Sequence, residues 1–316
     1  MISVIVTACH AEAEGIQSYE LARADGTALP PFTAGAHIDV QLAPGLVRQY
    51  SLCNPPHEHH RYRIGVLKDP ASRGGSVAMH GLQVGAELSI SEPRNLFELA
   101  REAHHSLLFA GGIGITPILC MAEHLAHQGK PFELHYCARS QAQAAFLPRL
   151  QAERFAGRTY LHFDDQPGTG LDTPQVLADP APGSHLYVCG PAGFMAHVLQ
   201  SAEQQGWPSA SLHREYFSAA PVPQGVTEGA FQVRLARSGE VFDVPADQTI
   251  VQVLREHGYE IPVSCEQGIC GTCLTKVLDG IPEHRDLYLS EDEQAQNDQF
   301  TPCCSRARSP LLVLDL

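Results

Sequence analysis

The chain has 316 residues, 44 % of them hydrophobic and 18 % charged, a profile that gives room for two or three folded domains and excludes a disordered, collagen-like or coiled-coil protein. A net charge of −14, from 35 acidic against 21 basic side chains, repels nucleic-acid phosphates and anionic lipid heads, so neither nucleic acid nor a membrane is an expected partner. Ten cysteines are too sparse for a secreted disulfide scaffold; Met1 to His10 lacks the pattern of a signal peptide, and the longest uncharged run, 107–122, is interrupted by glycines and Pro117, so no membrane span is expected and the cytoplasm is the expected compartment.

Residues 1 to about 100 read as short strands: Ile2–Val6, His37–Val40, Tyr62–Val66 and Glu87–Ile90 are rich in β-branched or aromatic residues, and Pro30-Pro31, Pro44-Gly45 and Asn54-Pro55-Pro56 punctuate them. No helix-length periodic stretch occurs before residue 100, so an antiparallel β-barrel is the expected architecture. Four further strands, at 106–110, 132–137, 159–163 and 184–189, alternate with helix candidates at 118–127, 141–154 and 191–205. That alternation builds an α/β domain with a parallel sheet. A Pro/Gly linker, 218–229, leads to a hairpin pattern, Phe231–Leu235 and Glu240–Val244 around Ser238-Gly239, and a helix from Thr249 to His257 ending at Gly258. The expected domains are 1–102, 103–220 and 229–316, the last a small α+β unit.

Cys265, Cys270 and Cys273 are spaced C-x4-C-x2-C, and Cys303 follows after 29 intervening residues. This is the plant-type ligand pattern of a 2Fe-2S cluster. Gly268 and Gly271 permit the turns and close backbone approach that such a loop requires. Zinc is the rival, but its sites favour two short C-x2-C pairs, and only one is present. Of the adjacent Cys303 and Cys304, an extended segment turns only one inward; the spacing selects Cys303 and leaves Cys304 as a small buried apolar residue.

Ala110-Gly111-Gly112-Ile113-Gly114-Ile115-Thr116-Pro117 follows a predicted strand and opens a helix, where glycines let the backbone approach a pyrophosphate. A second turn, Cys189-Gly190-Pro191, ends another predicted strand, and ligands of open parallel sheets bind beyond the strand C-termini, so the two turns can share one dinucleotide. Arg139 and Ser140, after the second strand of this sheet, are candidates for the adenosine ribose or a 2′-phosphate, which leaves NADH and NADPH both open. Earlier in the chain, Arg48-Gln49-Tyr50-Ser51-Leu52 sets a cation, a phenol and a hydroxyl on alternate strand positions facing the same way. These are groups a flavin uses: a cation for phosphate, an aromatic wall and a donor for the ring. The same segment also fits an ordinary amphipathic strand. Arg73-Gly74-Gly75-Ser76 offers amides and a hydroxyl for a phosphate. His57-Glu58-His59-His60 lacks helical i, i+4 spacing and reads as a solvated loop.

With these segments in this order, and with Pro93–Phe97, His213–Phe217, His284–Asp286 and the C-terminal Leu312–Leu316, the chain resembles the phthalate dioxygenase reductase family, which includes vanillate demethylase reductases. The resemblance covers nearly the whole length. It implies an FMN-binding β-barrel, a nicotinamide-binding α/β domain and a C-terminal 2Fe-2S ferredoxin domain. By resemblance, Arg48, Tyr50, Ser51, Leu52, Gly74, Gly75 and Ser76 bind FMN. Gly111, Gly112, Gly114, Thr116, Arg139, Cys189, Gly190 and Pro191 bind the nicotinamide dinucleotide, and Phe217 lies near the flavin ring. Ser51, Cys189 and Phe217 are the implied catalytic group, and Cys265, Cys270, Cys273 and Cys303 the implied cluster ligands. Cys304 stands where many relatives have Val. The implied activity is an NADH-dependent reductase that passes electrons to a Rieske-type terminal oxygenase. A reductase of another monooxygenase or an NADH oxidase with the same cofactors, and a zinc or redox-sensing module without catalysis, are the alternatives.

Overall fold

The computed structural model describes residues 1–43, 46–72, 74–217 and 229–316. They form two compact units, Met1–Glu215 and Tyr216–Leu316, each with its own hydrophobic core.

In the first unit, six strands form one antiparallel sheet: β1 (Ile2–Ala13), β2 (Ile16–Ala22), β3 (His37–Ala43), β4 (Leu46–Ser51), β5 (Tyr62–Leu67) and β6 (Glu87–Ile90). Their order is β4-β3-β6-β1-β2-β5. A bridge between Leu52 and Ile64 ties the residue after β4 to β5, so the two outermost strands of the order meet. Two elements depart from the sequence reading. Strand β2 was not expected, and a short helix, α1 (Gly75–His80), sits among the strands. It is six residues long, too short to leave a periodic signature.

The rest of this unit is a five-stranded sheet, with β7 (His105–Gly111), β8 (Phe132–Ala138), β9 (Thr159–Phe163), β10 (Ser184–Cys189) and β11 (Leu212–Glu215) in the order β11-β10-β7-β8-β9. All neighbours pair in parallel. The centre of β7, Ser106 to Gly111, is buried throughout, as expected of a strand covered on both faces. Helix α2 (Ile115–His127) follows β7 after one 3-10 turn, with Pro117 in its first turn, where a missing N–H costs nothing. The expected helix over 141–154 is replaced by two 3-10 turns and α3 (Leu147–Leu150). Phe146 adopts a left-handed φ of 61° and Pro148 follows at the start of α3, so no continuous helix can run through. Helices α4 (Thr173–Leu177) and α5 (Ala192–Gln204) precede and follow β10. The core is continuous across both sheets: a Cβ on Gly65 of β5 would meet the Thr116 methyl at 2.8 Å and the Phe146 ring at 3.0 Å, and the Cys120 thiol reaches the Asn54 carbonyl at 3.2 Å.

The second unit carries β12 (Phe231–Leu235), β13 (Val241–Val244), α6 (Ile250–Glu256), β14 (Thr275–Asp279), β15 (Pro282–Glu283), α7 (Glu291–Gln296), β16 (Gln299–Phe300), β17 (Arg306–Ala307) and β18 (Leu311–Leu314). Its main sheet runs β13-β12-β18-β14-β16. The β12–β13 hairpin is antiparallel, with alternate residues of β12 buried, and β18 returns parallel to β12. Thr249 caps α6 with a reciprocal bond to Gln252, as Ser290 caps α7 with Glu293. The linker expected at 218–229 lies, up to residue 228, outside the described residues. No helix among the described residues is long and apolar enough to cross a membrane.

Candidate functional site

Strand β4 carries the first candidates. Its register against β3 sets Val40 opposite Arg48, Ile38 opposite Tyr50, Asp39 opposite Gln49 and His37 opposite Ser51. Arg48 and Tyr50 therefore share one face, and Ser51 projects from the other with Gln49. This corrects the expectation that cation, phenol and hydroxyl face one way, because adjacent residues of a strand alternate. The Arg48 side chain lies across Gly75: a Cβ there would meet Arg48 Cγ at 2.5 Å and Nε at 2.8 Å. Gly74 precedes α1, and Ser76 Oγ accepts a bond from the Asp69 amide at 3.1 Å. Arg73 lies outside the described residues. Burial pushes the Tyr50 phenol well above its ordinary pKa, so it stays neutral. Leu52 is fully buried and holds the Ala36 carbonyl through its amide at 2.8 Å, a core position.

The two glycine turns meet. A Cβ on Gly111 would strike Phe194 at 2.8 Å and Pro191 at 2.9 Å, one on Gly190 would lie 2.9 Å from Gly111 Cα, and one on Gly114 would clash with the Cys189 carbonyl. Side chains at these positions would force the turns apart, so the chain there is built for close backbone approach. Gly112 takes a φ of 52° with open space beside it. Thr116 is buried, and its hydroxyl donates to the Ile113 carbonyl at 3.1 Å. Arg139 is exposed just beyond β8. Phe217, 39 % exposed, lies at the head of the second unit.

One residue that no local signal singles out joins these groups. Parallel pairing of β10 with β11 sets Glu215 beside Cys189, and Ser51 Oγ donates to Glu215 Oε2 at 3.3 Å. Burial drives the Glu215 carboxyl up to about 8, against the lowering effect of the Ser51 bond. Cys189 is fully buried, and burial, reinforced by the Glu215 charge, raises its thiol well above the ordinary value. His37 Nδ1 stands 4.0 Å from Glu215 Oε1. The ends of β4, β10 and β11 and the start of β3 thus converge on one polar cluster, which 164 positions of separation between Ser51 and Glu215 hide from any sequence window.

In the second unit, the loop from Cys265 to Cys273 and the turn carrying Cys303 bring four thiols together. Cys265 is within hydrogen-bonding reach of both Cys270 and Cys303, and Cys273 is within reach of Cys303. Among the described residues no group of three or more His, Cys, Asp or Glu side chains is set to hold one ion. The four thiols form one linked set, Cys303 reaching both Cys265 and Cys273, and a two-iron cluster is held by four cysteine thiolates, so an all-sulfur set of four fits that group. The Gln267 amide points at Cys265 Sγ at 3.3 Å. Gly271 has a φ of 66°, and a Cβ on it would run into the Tyr288 ring; Gly268 has a φ of 71°, and a Cβ on it would run into Cys304 Sγ and Asp286. Cys304 is half-buried and lies 3.3 Å from Thr301 Oγ1, so it is hydrogen-bonded and not the purely apolar residue expected.

Residues 233–308 match the model of the 2Fe-2S iron-sulfur cluster binding domain, and residues 91–212 match that of the dimethylamine monooxygenase subunit DmmA-like N-terminal domain. The chain is 63 % identical over 319 aligned residues to a vanillate O-demethylase oxidoreductase of Pseudomonas putida, covering 100 % of both chains. It is 43 % identical to the phthalate 4,5-dioxygenase oxygenase reductase subunit of the same species, covering 96 % of this chain and 93 % of that one. Among solved structures, phthalate dioxygenase reductase, described as a modular structure for electron transfer from pyridine nucleotides to [2Fe-2S], superposes with a TM-score of 0.79 at 38 % identity over 100 % of this chain and 98 % of that one. The chain belongs to the phthalate dioxygenase reductase family. The multidomain fold of that family, with a cluster-binding domain at the C-terminus, is the fold of this chain, and like its relatives in the family it is an oxidoreductase.

Proposed function

We propose that this reductase serves an aromatic-ring oxygenase system of the vanillate O-demethylase type, passing electrons from NADH through FMN and a 2Fe-2S cluster to a Rieske-type terminal oxygenase. The observation that carries the reading is the set of four thiols, Cys265, Cys270, Cys273 and Cys303, drawn within reach of one another in the unit that matches the cluster-binding model. Three modules divide the work: an FMN barrel over 1–102, supported by the Leu52–Ile64 bridge between the outer strands; a nicotinamide module over 103–220, supported by the parallel sheet and its paired glycine turns; and the ferredoxin module over 229–316. The same reading puts the protein in the reducing cytoplasm, which suits ten free cysteines.

When bound, the flavin matches a two-electron hydride donor to a one-electron cluster. Arg48, steadied across Gly75, supplies a cation for the flavin phosphate. Tyr50 remains a neutral phenol and walls the ring. The turns at Gly111–Gly114 and Cys189–Pro191 admit the dinucleotide backbone, and Arg139 reaches toward its adenosine end, where NADPH would be told from NADH. Cys189 stays a neutral thiol beside the nicotinamide, while Ser51 and Glu215 hold a proton at the flavin side. A second reading, reductase of a monooxygenase, is favoured by the match of residues 91–212 to a monooxygenase subunit model; it changes the final acceptor and leaves the electron chain as described.

The test is an absorption spectrum before and after anaerobic NADH, with acid-released flavin identified by chromatography. Flavin bands and an iron–sulfur shoulder that bleach together, with FMN released, are expected. A colourless, zinc-containing protein would overturn the reading.

A further inference from the structure

The first unit holds a cavity of about 530 Å³ that is lined neither by the glycine turns nor by Arg48 and Gly75. Its walls come from the loop between β4 and β5, from the start of β5, from the C-terminal end of α2 and from the segment that begins with α3. Helix α2 opens directly after the Gly111–Gly114 turn. Its 13 residues, at about 1.5 Å each, carry the chain roughly 20 Å before Ala126 and His127 reach the cavity. The cavity therefore lies at the opposite end of α2 from the turns assigned to the dinucleotide.

Four guanidiniums line it, those of Arg61, Arg63, Arg149 and Arg154, and three carboxylates answer them. Glu20 accepts from Arg61 Nη1 at 2.8 Å and from Arg63 Nη2. Glu58 accepts from Arg61 Nε and Nη2, each at 3.1 Å. Glu123, its side chain 5 % exposed, accepts from Arg149 Nη2 at 2.9 Å and from Arg154 Nη2 at 2.8 Å. Four cations against three anions leave one positive charge over, in a chain whose net charge is −14. Donors are left over as well: Arg63 Nε and Arg149 Nη1 are buried with no hydrogen-bond partner among the described residues, which a network complete in itself would not leave. The same excess acts on the buried Cys53 thiol, where burial raises the pKa and the charges of Arg149 and Arg63 work against that rise. The exposed imidazoles of His57 and His127 also line the cavity. They stack with centroids 4.2 Å apart and planes at 26°.

We propose that this cavity binds a small aromatic carboxylate. A single surplus charge matches a monoanion. A guanidinium offers a planar fork that pairs with both oxygens of a carboxylate, and it also stacks on aromatic rings; the imidazole pair adds a further flat face for the ring. Glu58 and Glu123, on the same walls, repel a second negative charge, so a dianion is held less well. A molecule seated there touches the β4–β5 loop and the α2 and α3 segments at once. It leaves the groups assigned to the flavin and the dinucleotide free, so the site works apart from the electron route.

The experiment is isothermal titration calorimetry on the full-length flavin-loaded chain, with benzoate as the probe and benzamide, cyclohexanecarboxylate and inorganic phosphate as comparisons. One equivalent of benzoate is expected to bind. Benzamide, which lacks the charge, and cyclohexanecarboxylate, which lacks the aromatic ring, are each expected to bind more weakly by about tenfold. Arg154→Gln, at a side chain 47 % exposed, and Arg61→Gln, on the β4–β5 loop, are each expected to weaken benzoate by about tenfold, with flavin retention and bleaching by NADH as in the unaltered chain. Because the two substitutions lie on different segments, a fault in folding of one variant leaves the other as the test. Saturating NAD⁺ is expected to leave the benzoate affinity unchanged. An unaltered chain that does not bind benzoate, or an affinity indifferent to both substitutions, overturns the proposal. Displacement by NAD⁺ also overturns it, since the probe would then sit in the dinucleotide site. Phosphate bound more tightly than benzoate would make the cavity a site for inorganic anions and overturn the aromatic assignment.

Discussion

Glu215 ends a four-residue strand with its carboxyl taken out of water and the Ser51 hydroxyl donating to it. Burial raises that carboxyl from 4.5 to about 8, so between those values the folded chain keeps a proton that the unfolded chain has already lost. The stability this provides is present in full below pH 4.5 and is lost as pH rises toward and through about 8. Glu215→Gln, neutral at every pH, is therefore expected to raise the melting temperature at pH 9 by on the order of a few degrees relative to its effect at pH 5. Equal shifts at both pH values would show that the carboxyl is not held protonated. Gly75 supports a second prediction. A side chain there meets Arg48 at 2.5 Å, so Gly75→Val is expected to displace the guanidinium and weaken FMN retention by about tenfold, ~1.4 kcal/mol, measured by flavin titration into the apoprotein. Arg48 and Gly75 stood out in the sequence as phosphate candidates, a cation and a glycine, and the fold sets them side by side. Glu215 did not, because a lone acid on a short strand carries no signal until β10 and β11 pair and bring it to Ser51.

At the scale of elements, four of the five strands of the parallel sheet could be read nearly to the residue, since runs such as Leu107–Ala110 are apolar throughout and end in glycine, whereas the four-residue β11, with only Leu212 apolar, was missed. The segment 141–154 could not be read, because helical spacing says nothing of a left-handed Phe146, whose φ is 61°. Ring stacking across this sheet was equally invisible. His135 on β8 lies between Phe109 of β7, at a centroid distance of 5.2 Å, and Tyr160 of β9, at 4.9 Å. Its Nδ1 is 3.1 Å from His162 Nε2. Burial, with the neighbouring His162 adding to it, lowers the His135 pKa from 6.5 to about 4. The unfolded chain thus takes up a proton that the folded sheet refuses, and stability falls as pH drops from 6.5 toward 4. His135→Phe keeps the stack and removes the titration. Denaturant melts at pH 7 and pH 4.5 are expected to show an acid loss smaller in the variant by on the order of 2 kcal/mol. An unchanged acid loss would assign it to other groups.

The molecule as a whole separates into two units with two cores, and the electron path assigned to it uses both. That division allows one unit to be disabled without unfolding the other. Cys270 lies on the Cys265–Cys273 loop of the second unit, within reach of Cys265. Cys270→Ser withdraws a thiolate from the cluster set and leaves the glycine turns, Arg48 and the Ser51–Glu215 pair of the first unit intact. Ferricyanide, which can draw electrons directly from the flavin, is expected to be reduced by NADH at the rate of the unaltered chain, whereas cytochrome c, which depends on the cluster, is expected to be reduced only at background. The partner oxygenase should behave as cytochrome c does. Residues 229–316 carry 14 acids against 7 Lys and Arg, a balance of −7, so electrostatic steering toward a basic oxygenase face also predicts that its reduction slows as salt rises while ferricyanide reduction through the flavin does not follow the same curve. Parallel loss of both activities in Cys270→Ser would mean that the second unit is needed for the first to fold, and the two cores would then be one cooperative structure.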